Sequence, residues 1–403
     1  MISKEILRNV IVSQREFLDN SEQGTLREMS KEIKIEDSFT LIITGVRRCG
    51  KSTFLNQLLK KQKKGYYLNL EDPRLGEFDL SDFNKVEVIM QEIYGEGGVY
   101  FFDEIQSIPE WERFIRYLVD KKEKIVLTGS NASILSRELG TKLTGRHLSV
   151  ELFPFSFKEF LSLKKWAPSM HSFEEYLAKG GFPEYIKKEN PGVLHELLSD
   201  VVMKDIAARF GIKNTAILNK IVIYLISNVG KEFSYNSIKR MLEIKSVKSV
   251  IDYISFFENA YLVFTLSRFS YSYKQQQVNP KKVYSIDNGF SSNNSASFSK
   301  DYGKMLENLV FLSLRKKYKD IFYFQEKNEC DFVIKEKDRI IEAVQVCFDF
   351  NEENQDREIN GLIEALEKFN LKEGIILTYK QDDEFKIKDK KIKVLPVWKW
   401  LVE

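Results

Sequence analysis

The first part of the chain alternates short apolar runs with longer segments whose apolar residues recur at helical spacing. The runs LIIT, GYYLNLED, GVYFFDE, KIVLTGS and HLSVELF are rich in the β-branched and aromatic residues that suit strands. The segments between them begin with STFLNQLLKK and read as helices. This alternation predicts an α/β fold over residues 1–155, a doubly wound parallel sheet.

Beyond PFSFKEF the pattern turns mostly helical, and residues 156–210 read as a helical connector broken by the rigid turn GGFPEY, Gly180 to Tyr185. In residues 211–285, Ser234 or Asn236 can cap a short helix around Ile238 to Leu242, EIKS turns, and Val247 to Asn259 places Val250, Ile251, Ile254 and Phe257 along one side. That order predicts a helix-turn-helix followed by the first strand of a wing. The polar stretch SSNNSASFS reads as a mobile loop or linker. Residues 300–403 then run helix, strand, strand, strand, helix, strand.

Composition narrows the picture. A chain of 403 residues exceeds one ordinary core. Its net charge of +3 is nearly balanced, so affinity for nucleic acid has to come from a local patch. No apolar run approaches the roughly 20 residues of a membrane span, and the amphipathic, charged N-terminus is unlike a secretory signal, so the expectation is a cytoplasmic protein. The three cysteines, Cys49, Cys330 and Cys347, show no CxxC spacing, which argues against a disulfide framework or a zinc cage.

The stretch GVRRCGKST, comprising Gly45, Val46, Arg47, Arg48, Cys49, Gly50, Lys51, Ser52 and Thr53, matches GxxxxGK[ST] between a strand and a helix. Glycines let the backbone curl with its N–H groups toward phosphates, and the following helix offers its positive end. Lys51 is placed to reach the β- and γ-phosphates of ATP, and Ser52 to ligate Mg²⁺. Asp103 and Glu104 end the strand GVYFFDE, where a Mg²⁺-organising carboxylate and a water-activating base are expected. Ser130 and Asn131 end the next strand on the same carboxyl edge, as sensors of the γ-phosphate or as a helix cap. Arg146, before the last run, and Arg137 are candidates for an arginine finger acting in its own or a neighbouring subunit.

Together these pieces resemble the AAA branch of P-loop ATPases. The order PFSFKEF, GGFPEY, VVMKDIAARFG further resembles a family of uncharacterised prokaryotic ATP-binding proteins whose AAA core is followed by a domain of unknown function, and this resemblance spans nearly the whole chain.

Two regions bear on partners. Lys213, Lys220, Lys231, Lys239, Arg240, Lys245 and Lys248 outnumber Glu232 and Glu243 between Gly211 and Val250, so Lys239, Arg240, Lys245 and Lys248 are candidates for contact with double-stranded DNA. A solvated lysine face, or a protein-binding module, is the competing reading. The C-terminal order resembles the restriction-endonuclease-like core, whose active members use a glutamate on the first helix, an aspartate on the second strand and an acid-x-lysine on the third. Glu307 and Asp331 match the first two, but the third strand has Gln345 and Cys347 where the acid and lysine belong. A frame on Glu342 puts Val344 in the lysine slot. Lys335 is a candidate lysine from elsewhere, and nuclease activity is not expected. The sequence therefore predicts an ATP-binding, Mg²⁺-dependent ATPase that couples nucleotide state to DNA or a protein. The alternatives are a nucleotide-sensing scaffold with little turnover and an ATP-gated nuclease.

Overall fold

In the computed structural model, which describes residues 1–37, 39–131, 146–297 and 301–403, the chain divides into two units, Met1–Phe153 and Pro154–Glu403. The first is built on strands β1 (Thr40–Thr44), β2 (Gly65–Asn69), β3 (Val99–Asp103), β4 (Ile125–Gly129) and β5 (His147–Glu151). Their order is β2-β3-β4-β1-β5, and every pairing is parallel. All five positions of β1, β3 and β4 are buried, because crossover helices cover both faces of such a sheet and leave no polar side for alternation. The crossover helices are Lys51–Leu59, Asp82–Tyr94 and Trp111–Asp120. The Phe83 and Phe114 rings of the latter two stack 4.4 Å apart.

A further helix, Lys4–Asn20, precedes the sheet, with Ser3 as its cap. It buries Leu7, Val10, Ile11 and Leu18 and packs against the helix Asp82–Tyr94 and β2. Gln14 exchanges hydrogen bonds with the backbone of Asn69, at 2.8 and 3.1 Å, and Arg15 donates to Gly65 O at 2.8 Å.

The second unit opens with the helices Phe157–Lys164, Met170–Lys179, Pro183–Lys188 and Gly192–Asp200, the last running on as a π-helical stretch Val201–Ala208. After the helix Thr215–Ser227 come a three-stranded antiparallel sheet, order β6-β8-β7, and two helices, Tyr235–Met241 and Val247–Asn259. The strands are β6 (Glu232–Phe233), β7 (Val263–Ser267) and β8 (Lys281–Ser285). Ser234 is the residue that caps the first of these two helices. On the second, Val250, Ile254 and Phe257 are buried, whereas Ile251 is 42% exposed and lies off the apolar side to which its spacing assigned it.

A mixed sheet, order β13-β14-β12-β11-β10-β9, completes the unit. Its strands are β9 (Asp320–Gln325), β10 (Glu329–Glu336), β11 (Arg339–Cys347), β12 (Glu373–Thr378), β13 (Asp383–Ile387) and β14 (Lys390–Pro396), with the helices Tyr302–Lys317 and Gln355–Lys368 beside it.

The first part of the polar stretch read as a mobile loop or linker is corrected: Ser291–Asn294 are helical, while Ser295–Ser297 lie outside any helix or strand. Asn288–Asn294 is a helix with Asp287 as its cap, and Asn288, Phe290, Ser291 and Asn294 are buried. Its polarity is consumed internally: Asn288 Nδ2 donates to Leu177 O and Met305 O, and Asn294 Nδ2 to Leu194 O. Buried polar side chains are stable when so paired, so low apolar content here does not mean solvent. The end of that stretch, from residue 298, lies outside the described residues.

Candidate functional site: the phosphate-loop edge and an acidic cluster

The loop Gly45–Gly50 leaves β1 at the carboxyl edge of the parallel sheet. Gly45 has φ of +153°, and a Cβ there would meet Leu152 O at 2.2 Å, so only glycine fits beside the end of β5. Gly50, at φ +101°, caps the helix Lys51–Leu59 without a side-chain bond, leaving the first N–H groups of that helix to the loop's concavity. Arg48 is left-handed, at φ +62°. Cys49 donates its thiol to Leu152 O at 3.3 Å, and burial pushes that thiol's pKa up. Arg47 bonds Glu71 at 3.2 Å, and Val46 is fully buried. Ser52 and Thr53, in the first turn, are exposed.

Lys51 is only 4% exposed, and its Nζ lies 3.2 Å from Gly45 O, 3.3 Å from Val46 O and 3.4 Å from Glu104 Oε1. Burial pulls its pKa down, but Glu104, Cys49 and Asp103 more than reverse this, so the ammonium stays charged. Glu104 sits at φ +52°, a conformation costly for a side-chain-bearing residue and often found at working sites. Burial pushes its carboxyl up, yet Lys51, Gln106 and Arg47 outweigh that and hold its pKa below the usual range. Asp103, one residue earlier, shifts the other way, raised by burial and by the Glu104 charge. Two adjacent carboxyls are thus driven apart in acidity.

Asp103 is held from several elements. Ser52 bonds it, Thr128 Oγ1 on β4 donates to Oδ1, and Tyr67 OH on β2 donates to Oδ2 at 3.1 Å. The Thr128 hydroxyl also accepts the Glu104 N–H at 2.9 Å. Ser130 and Asn131 are buried one step beyond β4, and the pairing of Thr44 with Gly129 sets Ser130 level with Gly45. Among the described residues Ser130 Oγ is buried without a hydrogen-bond partner, an acceptor and donor left for something at this edge.

The arginine candidates separate. Arg146 lies at the start of β5, where its carbonyl accepts from Thr40 N at 3.1 Å, and its side chain pairs with Asp120. That is the amino edge of the sheet, about 20 Å along the strand from Gly45. Arg146 therefore does not face its own loop, and only a role in a neighbouring subunit stays open. Arg137 lies outside the described residues.

Residues 37–161 match an AAA domain, residues 170–298 a domain of unknown function (DUF8612), and residues 302–400 another (DUF4143). The uncharacterized protein MJ1544 of Methanocaldococcus jannaschii is 36% identical over 99% of this chain and 96% of its own length. The chain belongs to that family of AAA-domain proteins. An uncharacterized protein of Haemophilus influenzae is similar too, 31% identical over 92% of this chain and 96% of that one. The Walker-type ATPase PABY2304 of Pyrococcus abyssi superposes with a TM-score of 0.41 and 15% identity, over 73% of this chain and 96% of that one.

In this AAA-domain protein the C-terminal candidates do come together. Glu307, Asp331 and Gln345 are 4%, 5% and 6% exposed, so the set is covered. Gln345 spends its amide oxygen on Asp331 N, at 3.1 Å, and its Nε2 on Glu358, at 2.6 Å. Cys347 is a neutral thiol, its pKa pushed up to about 12 by burial first and then by Glu358. Lys335 stands four positions past Asp331 on β10, about 13 Å along the strand, and does not supply the missing ammonium. A residue the sequence reading passed over does: Lys282 of β8 reaches Asp331 at 3.0 Å and Glu307 at 3.3 Å.

The basic candidates lie on the helices Tyr235–Met241 and Val247–Asn259 and in the turn between them, with Arg240, Lys245 and Lys248 exposed and Lys239 half-buried. They gather at the end of the first helix and in the turn. The second helix carries Lys248 against Asp252 and Glu258, so it is not itself basic. Thr128, Tyr67 and Arg27 were also passed over. Arg27 is buried before the AAA match begins and donates to Cys49 O at 3.2 Å and Phe153 O at 2.5 Å. A hydroxyl inside the apolar run KIVLTGS was the one signal for Thr128; for Arg27 there was none. Among the described residues, no helix is long and apolar enough to cross a membrane.

Proposed function

We propose that the chain is a Mg²⁺-dependent ATPase whose nucleotide state controls binding of double-stranded DNA by its C-terminal unit. The observation that carries the reading is the convergence at one sheet edge of Lys51, Ser52, Asp103 and Glu104, with Lys51 and Glu104 3.4 Å apart. Lys51 and the loop amides would bind the β- and γ-phosphates, and Ser52 and Asp103 would hold the metal. The donor set fits a hard cation, being a hydroxyl and a carboxylate. Bound there, Mg²⁺ would neutralise phosphate charge. Glu104, kept ionised, would orient and deprotonate the attacking water once Lys51 turns from it to phosphate, and Ser130 would sense the γ-phosphate. On this reading Lys239, Arg240, Lys245 and Lys248, on the winged-helix-like element, contact DNA phosphates, and the restriction-endonuclease-like domain binds without cutting.

A second reading, a nucleotide-sensing scaffold with little turnover, draws on the engagement of both Glu104 oxygens, by Lys51 and by Gln106 at 2.6 Å. The burial of Glu307 and Asp331 weighs against the ATP-gated nuclease. The deciding experiment is an ATPase assay with and without double-stranded DNA. Stimulation by DNA is the expected result. Tight nucleotide binding with no turnover in either condition would replace this reading with the scaffold.

A further inference from the structure

Lys282 has no part in that function, yet its side chain is 2% exposed and carries a charge. It projects from the central strand of the three-stranded sheet, and its Nζ lies 2.7 Å from Glu329 Oε1, 3.0 Å from Asp331 Oδ1 and 3.3 Å from Glu307 Oε1. Tyr284, two residues on and so on the same face of β8, donates its hydroxyl to Glu307 Oε1 at 2.8 Å. Lys304 closes the other side, 2.7 Å from Glu307 Oε2. Burial pulls the Lys282 pKa down, but Asp331 foremost, with Tyr284, Glu307 and Glu329, holds it well above the ordinary value.

The carboxylates come from two elements, Glu307 from the helix Tyr302–Lys317 and Glu329 and Asp331 from β10. The positive charge of Lys282 is delivered by another part of the unit. We propose that Lys282 is the resident cation of this cluster: its ammonium fills the space between Glu307 and Asp331, keeps a divalent metal out of it, and fastens the three-stranded sheet to the C-terminal sheet. The charges are consistent with exclusion. Three carboxylates face two ammoniums, so adding a divalent ion would overcompensate, whereas removing Lys282 leaves a deficit of two positive charges, which one divalent ion fills.

The test is Mn²⁺ binding to the full chain without nucleotide, read by electron paramagnetic resonance. Any Mn²⁺ held near Ser52 and Asp103 is common to all variants and subtracts out. K282A is expected to take up one more Mn²⁺ than the parent, tighter at that site by about tenfold or more, and D331N in the K282A background should abolish the gain. K282R, which keeps a cation in place, should bind as the parent does. If K282A unfolds, Mn²⁺ at millimolar concentration should restore its near-ultraviolet circular dichroism. Equal uptake by parent and K282A, a gain that survives D331N, uptake by K282R equal to that of K282A, or an unfolded K282A that Mn²⁺ does not rescue would each overturn the proposal.

Discussion

Asp287 Oδ2 accepts the backbone N–H of Gly181 at 2.6 Å, and its carboxyl group fills the space that a side chain on Gly180 would need: a Cβ there would lie 2.1 Å from Asp287 Oδ1. The turn GGFPEY is therefore a receptor for a carboxylate more than a hundred residues away. Gly180 is also at φ +71°, so two constraints require glycine there.

The same carboxyl should tune stability with pH. Burial raises its pKa from 3.8 to about 6, against the opposing N–H groups of Gly181, Phe290 and Gly289. The folded chain thus holds a proton that the unfolded chain has released between those values, and stability from this group is full below about pH 4 and lost as pH rises through 6. The difference in unfolding free energy between parent and Asp287→Asn should shift against the parent by about 3 kcal/mol between pH 4 and 7, then stay flat. Chemical denaturation across that range checks it, and a difference independent of pH would contradict the assignment.

Lys51→Ala should remove most nucleotide affinity, since no other loop lysine can place a point charge on the β- and γ-phosphates. Titration with a fluorescent ATP analogue measures this. Parent-like affinity in the mutant would remove Lys51 from the site.

Glu104→Gln should bind ATP as the parent does and hydrolyse it about 10²-fold more slowly, the expected loss for a general base. Single-turnover kinetics separates the two steps. Equal rates would move the base elsewhere.

Thr128→Val deletes a donor to Asp103 and the acceptor of the Glu104 N–H at once. We expect the Mg²⁺ concentration for half-maximal ATPase activity to rise about tenfold, as when a ligand loses its outer hydrogen bond. Tyr67→Phe, which removes one donor only, should do less. An unchanged Mg²⁺ dependence in both would mean that Asp103 needs neither hydroxyl.

Neutralising Lys245 and Lys248 should weaken double-stranded DNA binding to a similar degree for all sequences and lower the salt slope by about one unit per lost contact. Affinity measured against salt concentration is the check. An unaltered slope would return these lysines to a solvated face.

What the sequence made legible was local. The loop Gly45–Gly50, the Asp103–Glu104 strand end and the Ser130–Asn131 strand end could be placed on one sheet edge from a few residues each, because each position is set by one strand-to-helix or strand-to-loop junction. Thr128, Tyr67 and Arg27 could not be read this way. They act across strands, and a hydroxyl or guanidinium gives no hint of which distant carboxylate or carbonyl it meets. Lys282 is the strongest case, 25 residues from Glu307 and 49 from Asp331 in the chain. The buried helix Asn288–Asn294 was hidden for another reason, that paired amides in an interior look like solvent-facing ones in a sequence.

The helix Lys4–Asn20 has a practical consequence. Gln14 and Arg15 hydrogen-bond to β2 on the side away from β3, where among the described residues no strand pairs with it. A fragment trimmed to the start of the AAA match at residue 37 would lose this cover and present a bare strand margin to other copies, a template for intermolecular pairing. It would also lose the Arg27 strut under Cys49. Such a fragment should clump and bind nucleotide poorly, and the leading residues belong to the AAA domain as much as the loop does.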